Sequence, residues 1–229
     1  MSLIEYDKIA RSGRKQPIPS TTLPVVEETG ASGEVAALYQ HFRTHFGRPD
    51  VPGILKCFAT HPPLLRHMMD LAETLIFAEG ALTRRQKEMI ATLVSLENSC
   101  PYCADSHAYF LRVNGGSPET LHAIEQRDLK SPALSAAEQL LLGFAQKINR
   151  DSHRIDTADI ASLSLAGWSQ LQIAEAIHVT ALFATFNRVA NAFGLPSQGL
   201  LALYQDAIAV TVSESPSTTP DPAFEKEYP

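Results

Sequence analysis

Cysteine is scarce in this chain, with three in 229 residues, and tryptophan occurs once. So few thiols exclude a disulfide-stapled secreted fold, and they make any close pair catalytic or metal-binding instead. A signal peptide is missing as well. Residues 1–16 carry Glu5, Asp7, Lys8, Arg11, Arg14 and Lys15 and lack the apolar core of roughly 7–15 residues that a secretory signal needs. Long apolar runs are absent too. The nearest, Ala176 to Phe186, contains His178 and Thr180 and falls short of the roughly 18 apolar residues of a membrane span. Basic runs are absent. Lys and Arg total 19 against 25 Asp and Glu, for a net charge of −6, which excludes a phosphate-tracking surface and a nucleic-acid partner. Arg11 to Lys15 is the least acidic stretch and reads as a solvated arm. These absences point to a cytoplasmic protein with no membrane contact.

Alternating strand patterns are also missing, and no long linker divides the chain. Helical spacing is what remains. Residues 1–30, punctuated by Pro17, Pro19 and Pro24, read as an extended N-terminal arm. Val35, Leu38, Tyr39 and Phe42 then mark one face of a helix. Ile54 to Ala59 form a short second helix stopped by Pro62-Pro63, and Leu64 to Leu75 a third that reaches Gly80. Thr83 with Gln86 three residues on is a capping box that opens a strong helix. Its residues Glu88, Ala91, Thr92 and Ser95 form a small-residue face that a neighbour can approach closely. Asn98-Ser99 breaks the pattern, and a new helix starts at Cys100 with Pro101 in its first turn. Further helices are expected over 118–127, 135–149, 157–166, 169–193 and 199–212. The one over 169–193 is apolar around most of its circumference and reads as buried in the core or between subunits. The expected organisation is one all-α domain over 31–212, with an irregular tail at 213–229.

The residues with chemistry are Cys100-Pro101-Tyr102-Cys103, His107 four residues later and Glu88 twelve residues before Cys100. On one helix, Cys103 and His107 are four apart and share a face. Cys100 at the helix start feels the positive end of the helix dipole, which favours a thiolate. Glu88 on the preceding helix, across the Asn98-Ser99 hairpin, is placed to orient His107. Three readings fit these residue types. Thiol redox chemistry would use one Cys as attacker and the other as resolver, in a peroxidase or in a disulfide reductase or redox sensor. A zinc-holding structural oligomer would use Cys100, Cys103 and His107 as ligands. Alternatively, both thiols are small buried hydrophobes. Pro-Tyr between two cysteines also occurs in glutaredoxins, where a strand precedes the motif; here a helix does.

Glu88, Cys100-x-x-Cys103, His107 and Gly115 together resemble the core motif of the alkyl hydroperoxidase D-like, or carboxymuconolactone decarboxylase, superfamily. Gly80-Ala81-Leu82-Thr83 and Phe186-Asn187-Arg188-Val189-Ala190 resemble its peroxidase-related branch, and the resemblance spans residues 50–197. It implies an all-α, multi-helix bundle assembled as a homo-oligomer, a trimer or hexamer. It implies a thiol-dependent peroxidase that binds no cofactor and acts on a hydroperoxide substrate. Its electrons would come from an external dithiol reductant, a thiol electron donor protein such as a dihydrolipoyl protein. By the same resemblance Cys103 is the peroxide-attacking thiol, Cys100 its proton-donating and resolving partner, and Glu88 and His107 the proton relay. The decarboxylase branch does not rely on this cysteine pair, which argues against lactone decarboxylation. Tyr102 stands where the best-known family members carry a histidine. A phenol is no base near neutral pH without a large shift, so Tyr102 is expected only to line the site.

Other residues read as structural. Cys57 has no sequence partner and reads as a buried free thiol. His178, one turn from Glu175, reads as a satisfied core histidine. Asn187, Arg188 and Asn191 would be costly if buried unpaired, which points to a carboxylate partner. Trp168 and Tyr109 read as packing residues, and His41 and His45 as no metal site.

Overall fold

The Val35–Phe42 spacing becomes helix α1, Gly33–Phe46, in a computed structural model that describes residues 21–214, with side chains to residue 208. Gly47 closes α1 in the left-handed region (φ 60°), which glycine enters without a Cβ penalty. Helices α2 (Gly53–Phe58) and α3 (Pro62–Ala72) follow. Pro62 and Pro63, expected as a stop, occupy the first turn of α3, where the missing N–H has no helical partner to lose. This helix also does not reach Gly80. Its last turn widens into a π-helix over Glu73–Phe77 and ends at Ala78.

Helix α4, Arg84–Glu97, opens on the expected Thr83/Gln86 capping box. It is the centre of the molecule, and Lys87 to Ser95 are all buried. α5 (Pro101–Val113), α6 (Pro118–Glu125), α7 (Ala136–Asp151) and α9 (Gln170–Phe193) all pack on it. Met89, Ile90, Leu93 and Val94 are wholly excluded from water. Each such side chain contributes about 1.5–3 kcal/mol of transfer free energy. The small-residue face does what its composition requires, since Ala91, Thr92 and Ser95 let neighbouring backbones come close. α8 (Thr157–Leu165) and α10 (Leu200–Glu214) complete ten α-helices among the described residues, which contain no strand. The all-α expectation therefore holds across them.

The buried Lys87 is paired, as a buried charge must be. Its Nζ lies 2.7 Å from Glu175 Oε1 and donates to the Ala78 carbonyl at 3.1 Å. Glu175 Oε2 also accepts from Leu82 N at 2.7 Å. The turn before α4 is thus pinned to α9, and a Cβ at Gly80 would collide with the Glu175 carboxylate. Glu175 therefore serves Lys87, while His178 is exposed and is no core histidine. Nor is α9 buried all round. Leu171, His178, Ala181, Thr185, Arg188 and Ala192 form an exposed stripe on it, at spacings of three, four and seven. Trp168 is the expected anchor, buried with its Nε1 donating to the Ala137 carbonyl at 3.0 Å.

Residues 1–20 and 215–229 lie outside the described residues, and with them most of the expected arm and tail. Of the arm, residues 21–30 are tied down. Thr22 N donates to the Phe193 carbonyl at 2.8 Å, and Tyr39 Oη donates to the Val26 carbonyl at 2.8 Å. Glu28 receives Arg43 and the Val51 N–H, and Glu27 receives Lys56. No helix among the described residues is long and apolar enough to cross a membrane.

Candidate thiol and histidine site

Two short connections build the site. After α4 the chain turns through Asn98 and Ser99, whose φ of 49° is uncommon for a residue with a Cβ. Cys100 N then donates back to the Ser95 carbonyl at 2.9 Å. That turn makes Cys100 the N-cap of α5, with Pro101 behind it. The Cys100 sulfur does the work of a capping oxygen, accepting from Cys103 N at 3.4 Å. Both cysteines are buried, at 1% and 3% exposure, and both are free thiols.

Their protons are unequal. A hydrogen bond from the Cys103 thiol is the largest influence lowering Cys100, with smaller contributions from the Cys103 N–H and the Asn187 amide, against burial. The same hydrogen bond raises Cys103, and burial and the Cys100 charge add to it. The pair therefore loses its first proton from Cys100. Cys57 of α2 packs in the same cluster, with Tyr102, Ala190 and Leu195, and Val25 of the arm lies against it. Burial pushes the Cys57 thiol up to about 12, so it stays protonated.

One helical turn further on, His107 Nδ1 lies 2.6 Å from Glu88 Oε2. Glu88 is fully buried, and its other oxygen accepts from Arg84 Nε at 2.6 Å. Burial alone would push the Glu88 carboxyl up, but His107 and Arg84 outweigh it and hold it below its ordinary value. An ionised carboxylate only accepts, so Nδ1 carries a hydrogen and Nε2 is the nitrogen left for chemistry. The imidazole is further held edge-on against Phe183, with centroids 4.4 Å apart. Among the described residues no hydrogen bond joins His107 to either sulfur.

His107, Tyr102, Arg84, Phe110, Phe183 and Phe186 line part of a cavity of about 560 Å³. Neither cysteine lines it. Tyr102 does, and it also packs in the thiol cluster. Its hydroxyl accepts from Ile54 N at 3.3 Å. Tyr109, expected to pack, is buried and also lines the cavity. Among the described residues no three His, Cys, Asp or Glu side chains converge to hold a metal.

Four site residues went unassigned by sequence reasoning. Arg84 had a usable signal, the i, i+4 spacing to Glu88. Asn187 was marked as costly if unpaired, but its partners are Ser95 and Asn98 rather than a carboxylate. Cys57 had none, because only the packing of α2 brings it to the pair, and Asn98, two residues before Cys100, read only as a helix break.

The carboxymuconolactone decarboxylase family model matches residues 62–147, which include Glu88, both motif cysteines and His107. A solved alkylhydroperoxidase AhpD core, an uncharacterized peroxidase-related protein from Ralstonia eutropha JMP134, superposes with a TM-score of 0.70 at 26% identity. That match covers 81% of this chain and 96% of the other. The fold is thus that of the solved alkylhydroperoxidase AhpD core, and the family match covers this chain's Glu88 to His107 segment. A second structure, an uncharacterized peroxidase-related protein from Silicibacter sp. TM1040, has a TM-score of 0.68 at 28% identity, over 80% of this chain and 94% of its own. The debrominase Bmp8, solved with 2,3,4-tribromopyrrole, shares the fold at 16% identity and a TM-score of 0.66, over 84% of this chain and all of its own. No curated protein matches the chain.

Proposed function

We propose that this chain is a member of the alkyl hydroperoxidase D-like, carboxymuconolactone decarboxylase superfamily and a thiol-dependent peroxidase that works through the Cys100–Cys103 pair. The observation that carries the reading is the thiol at the helix start. The Cys100 sulfur caps α5 and accepts from the Cys103 N–H at 3.4 Å, its pKa is lowered, and one turn beyond Cys103 stands a carboxylate-oriented histidine.

The resting charge sits on Cys100. Transfer of the Cys103 proton along their hydrogen bond moves the charge to Cys103, on the His107 side of the helix. The Cys103 thiolate attacks the distal peroxide oxygen. The O–O bond breaks, Cys103 becomes a sulfenic acid, and the alkoxide takes the Cys100 proton. Cys100, again a thiolate, attacks the Cys103 sulfur, the S–O bond breaks and a disulfide forms, and the departing hydroxide leaves as water by taking from solvent, by way of His107 Nε2, the proton that Cys100 released at the start. The sum is two thiols and a hydroperoxide giving a disulfide, an alcohol and water. An external dithiol, of the dihydrolipoyl-protein class, then reduces the disulfide. The homo-oligomer, trimer or hexamer, and the cytoplasmic location belong to the same proposal.

Trapping of sulfenic acid tests the assignment. Cys100→Ser treated with one equivalent of organic hydroperoxide is expected to accumulate a dimedone-reactive sulfur at Cys103. Accumulation at Cys100 in Cys103→Ser, with none at Cys103 in Cys100→Ser, would reverse the order of attack. That second reading is favoured by the lowered Cys100 pKa. Full turnover in Cys103→Ser would remove the proposal altogether.

A further inference from the structure

Eight of the chain's seventeen aromatic residues line the cavity beside His107. They come from α1, the π-helix, α5 and α9. The widened turn of the π-helix puts Glu73, Ile76 and Phe77 on this one wall. At about 560 Å³ the space is many times the roughly 30 Å³ of a water molecule, and it falls within the roughly 300–1,000 Å³ of small-molecule sites. A bare peroxide group would leave most of that aromatic wall against water. The cavity meets solvent at His45 and Glu73, whose side chains are 45% and 43% exposed and stand 2.9 Å apart.

One cation in the wall is only partly used. The Arg84 side chain is 25% exposed, and its Nε is spent on Glu88 at 2.6 Å. Its guanidinium carbon lies 4.7 Å from the centre of the Phe77 ring and 5.7 Å from that of Phe110, and both rings line the cavity. Among the described residues neither Nη group of Arg84 donates a hydrogen bond. Four of the five guanidinium N–H donors sit on those two nitrogens. The edge between them takes a carboxylate through two parallel hydrogen bonds. The carboxylates nearby are already engaged. Glu73 faces His45, and the two oxygens of Glu88 face Arg84 Nε and His107. Arg48 lines the same cavity, so its wall carries two guanidinium groups against the one carboxylate of Glu73.

We propose that this cavity binds an apolar organic acid, with its carboxylate on the Nη edge of Arg84 and its apolar body among the aromatic rings. The body gains transfer free energy in proportion to the apolar area it buries. The carboxylate supplies the acceptor that a largely buried guanidinium edge otherwise lacks. Arg84 and His107 hold the two oxygens of one Glu88, so an acid seated on Arg84 lies against the wall that carries the imidazole. The substrate of the thiol pair is then the hydroperoxide of such an acid, reduced to the hydroxy acid by the two-thiol balance given above. This last step rests on the peroxidase reading; binding of the acid does not.

The test is isothermal titration calorimetry on the reduced full chain, with naphthoate and octanoate as probes and their methyl esters as neutral controls. At least one acid is expected to bind saturably and about tenfold or more tighter than its ester, as for charge-assisted hydrogen bonds. Naphthoate ahead assigns an aromatic body, and octanoate ahead an alkyl chain. An ester that binds as tightly as its acid, or no binding of either acid, overturns the proposal. Arg84→Gln is expected to remove the preference for acid over ester, and a folded Arg84→Gln that keeps it overturns the assignment to Arg84. Should that variant fail to fold, the comparison of acid with ester in the wild type still decides. If the acids bind while the wild type consumes no hydroperoxide, the cavity assignment stands and the peroxidase reading falls. If fatty-acid hydroperoxide and its methyl ester turn over with equal kcat/KM and the acids do not bind, the peroxidase reading stands and the cavity assignment falls.

Discussion

The two ends of the short segment from Cys100 to His107 are built from opposite materials. Around the sulfurs there are a backbone N–H, a third, protonated thiol and the apolar Ala190 and Leu195. Around the imidazole there are charges, with Arg84 and His107 on the two oxygens of a fully buried Glu88. The sulfur end is closed, and the imidazole end opens on an aromatic cavity. The difference follows from what each group must do. A thiolate that has to react is best held by weak neutral donors, because a full counter-ion would stabilise it too well to attack. An imidazole that has to pass a proton is best held by a fixed anion, which sets its tautomer and leaves Nε2 free.

Breaking either end separately tests that contrast. The largest effect is expected at the sulfurs, where Cys103→Ser should drop peroxide turnover to the uncatalysed background, read by peroxide consumption with a dithiol donor. Next is Glu88→Gln, which leaves Arg84 and His107 facing a neutral amide. Removing one member of a buried ionic group costs about 3–5 kcal/mol. Urea unfolding should therefore show a large fall in stability, while the first thiolate midpoint stays near the wild-type value. A shifted midpoint would mean that the two ends are not independent.

Acid should act on the charged end alone. The Glu88 pKa is below its ordinary 4.5 in the folded chain. Its ionised form therefore stabilises the fold fully above that value, and the contribution disappears as pH falls through the lower folded pKa. Glu138 and Glu175, also lowered by their Arg85 and Lys87 partners against burial, add to the same loss. Urea midpoints between about pH 6 and pH 3 should fall more steeply in the wild type than in Glu88→Gln. Equal slopes would remove Glu88 from the acid response. The smallest effects are expected where the two ends meet. Tyr102→Phe deletes the acceptor for Ile54 N and should cost about 1 kcal/mol of stability. Cys57→Ala should leave turnover within about twofold, because a thiol with a pKa near 12 contributes no nucleophile near neutral pH.

Much of this arrangement was legible in the chain. The capping box at Thr83, the Cys100 start of α5, the Gly47 and Gly115 stops and the hairpin that brings Glu88 to His107 are local. Each is decided within about a helical turn by capping, φ preference or i, i+4 spacing. Where local reading failed, the causes differ. Pro62-Pro63 read as the stop of the second helix, yet they open the third, because proline fits a first turn as well as it ends a helix. His178 looked buried because its neighbours are apolar, yet it lies on the exposed stripe of α9, and Glu175 turns to Lys87 instead.

The sequence by itself determined an all-helical chain and the residues of the motif, because helix periodicity and CxxC spacing are properties of neighbouring residues. Tertiary structure alone decided how far the sulfurs are buried and what surrounds them. Cys57 of α2, Ala190 of α9 and Leu195 close over the pair, and none of them is near it in the chain. A thiol pKa is set by burial as well as by local dipoles, and only the packing of α2 and α9 against the start of α5 supplies that burial.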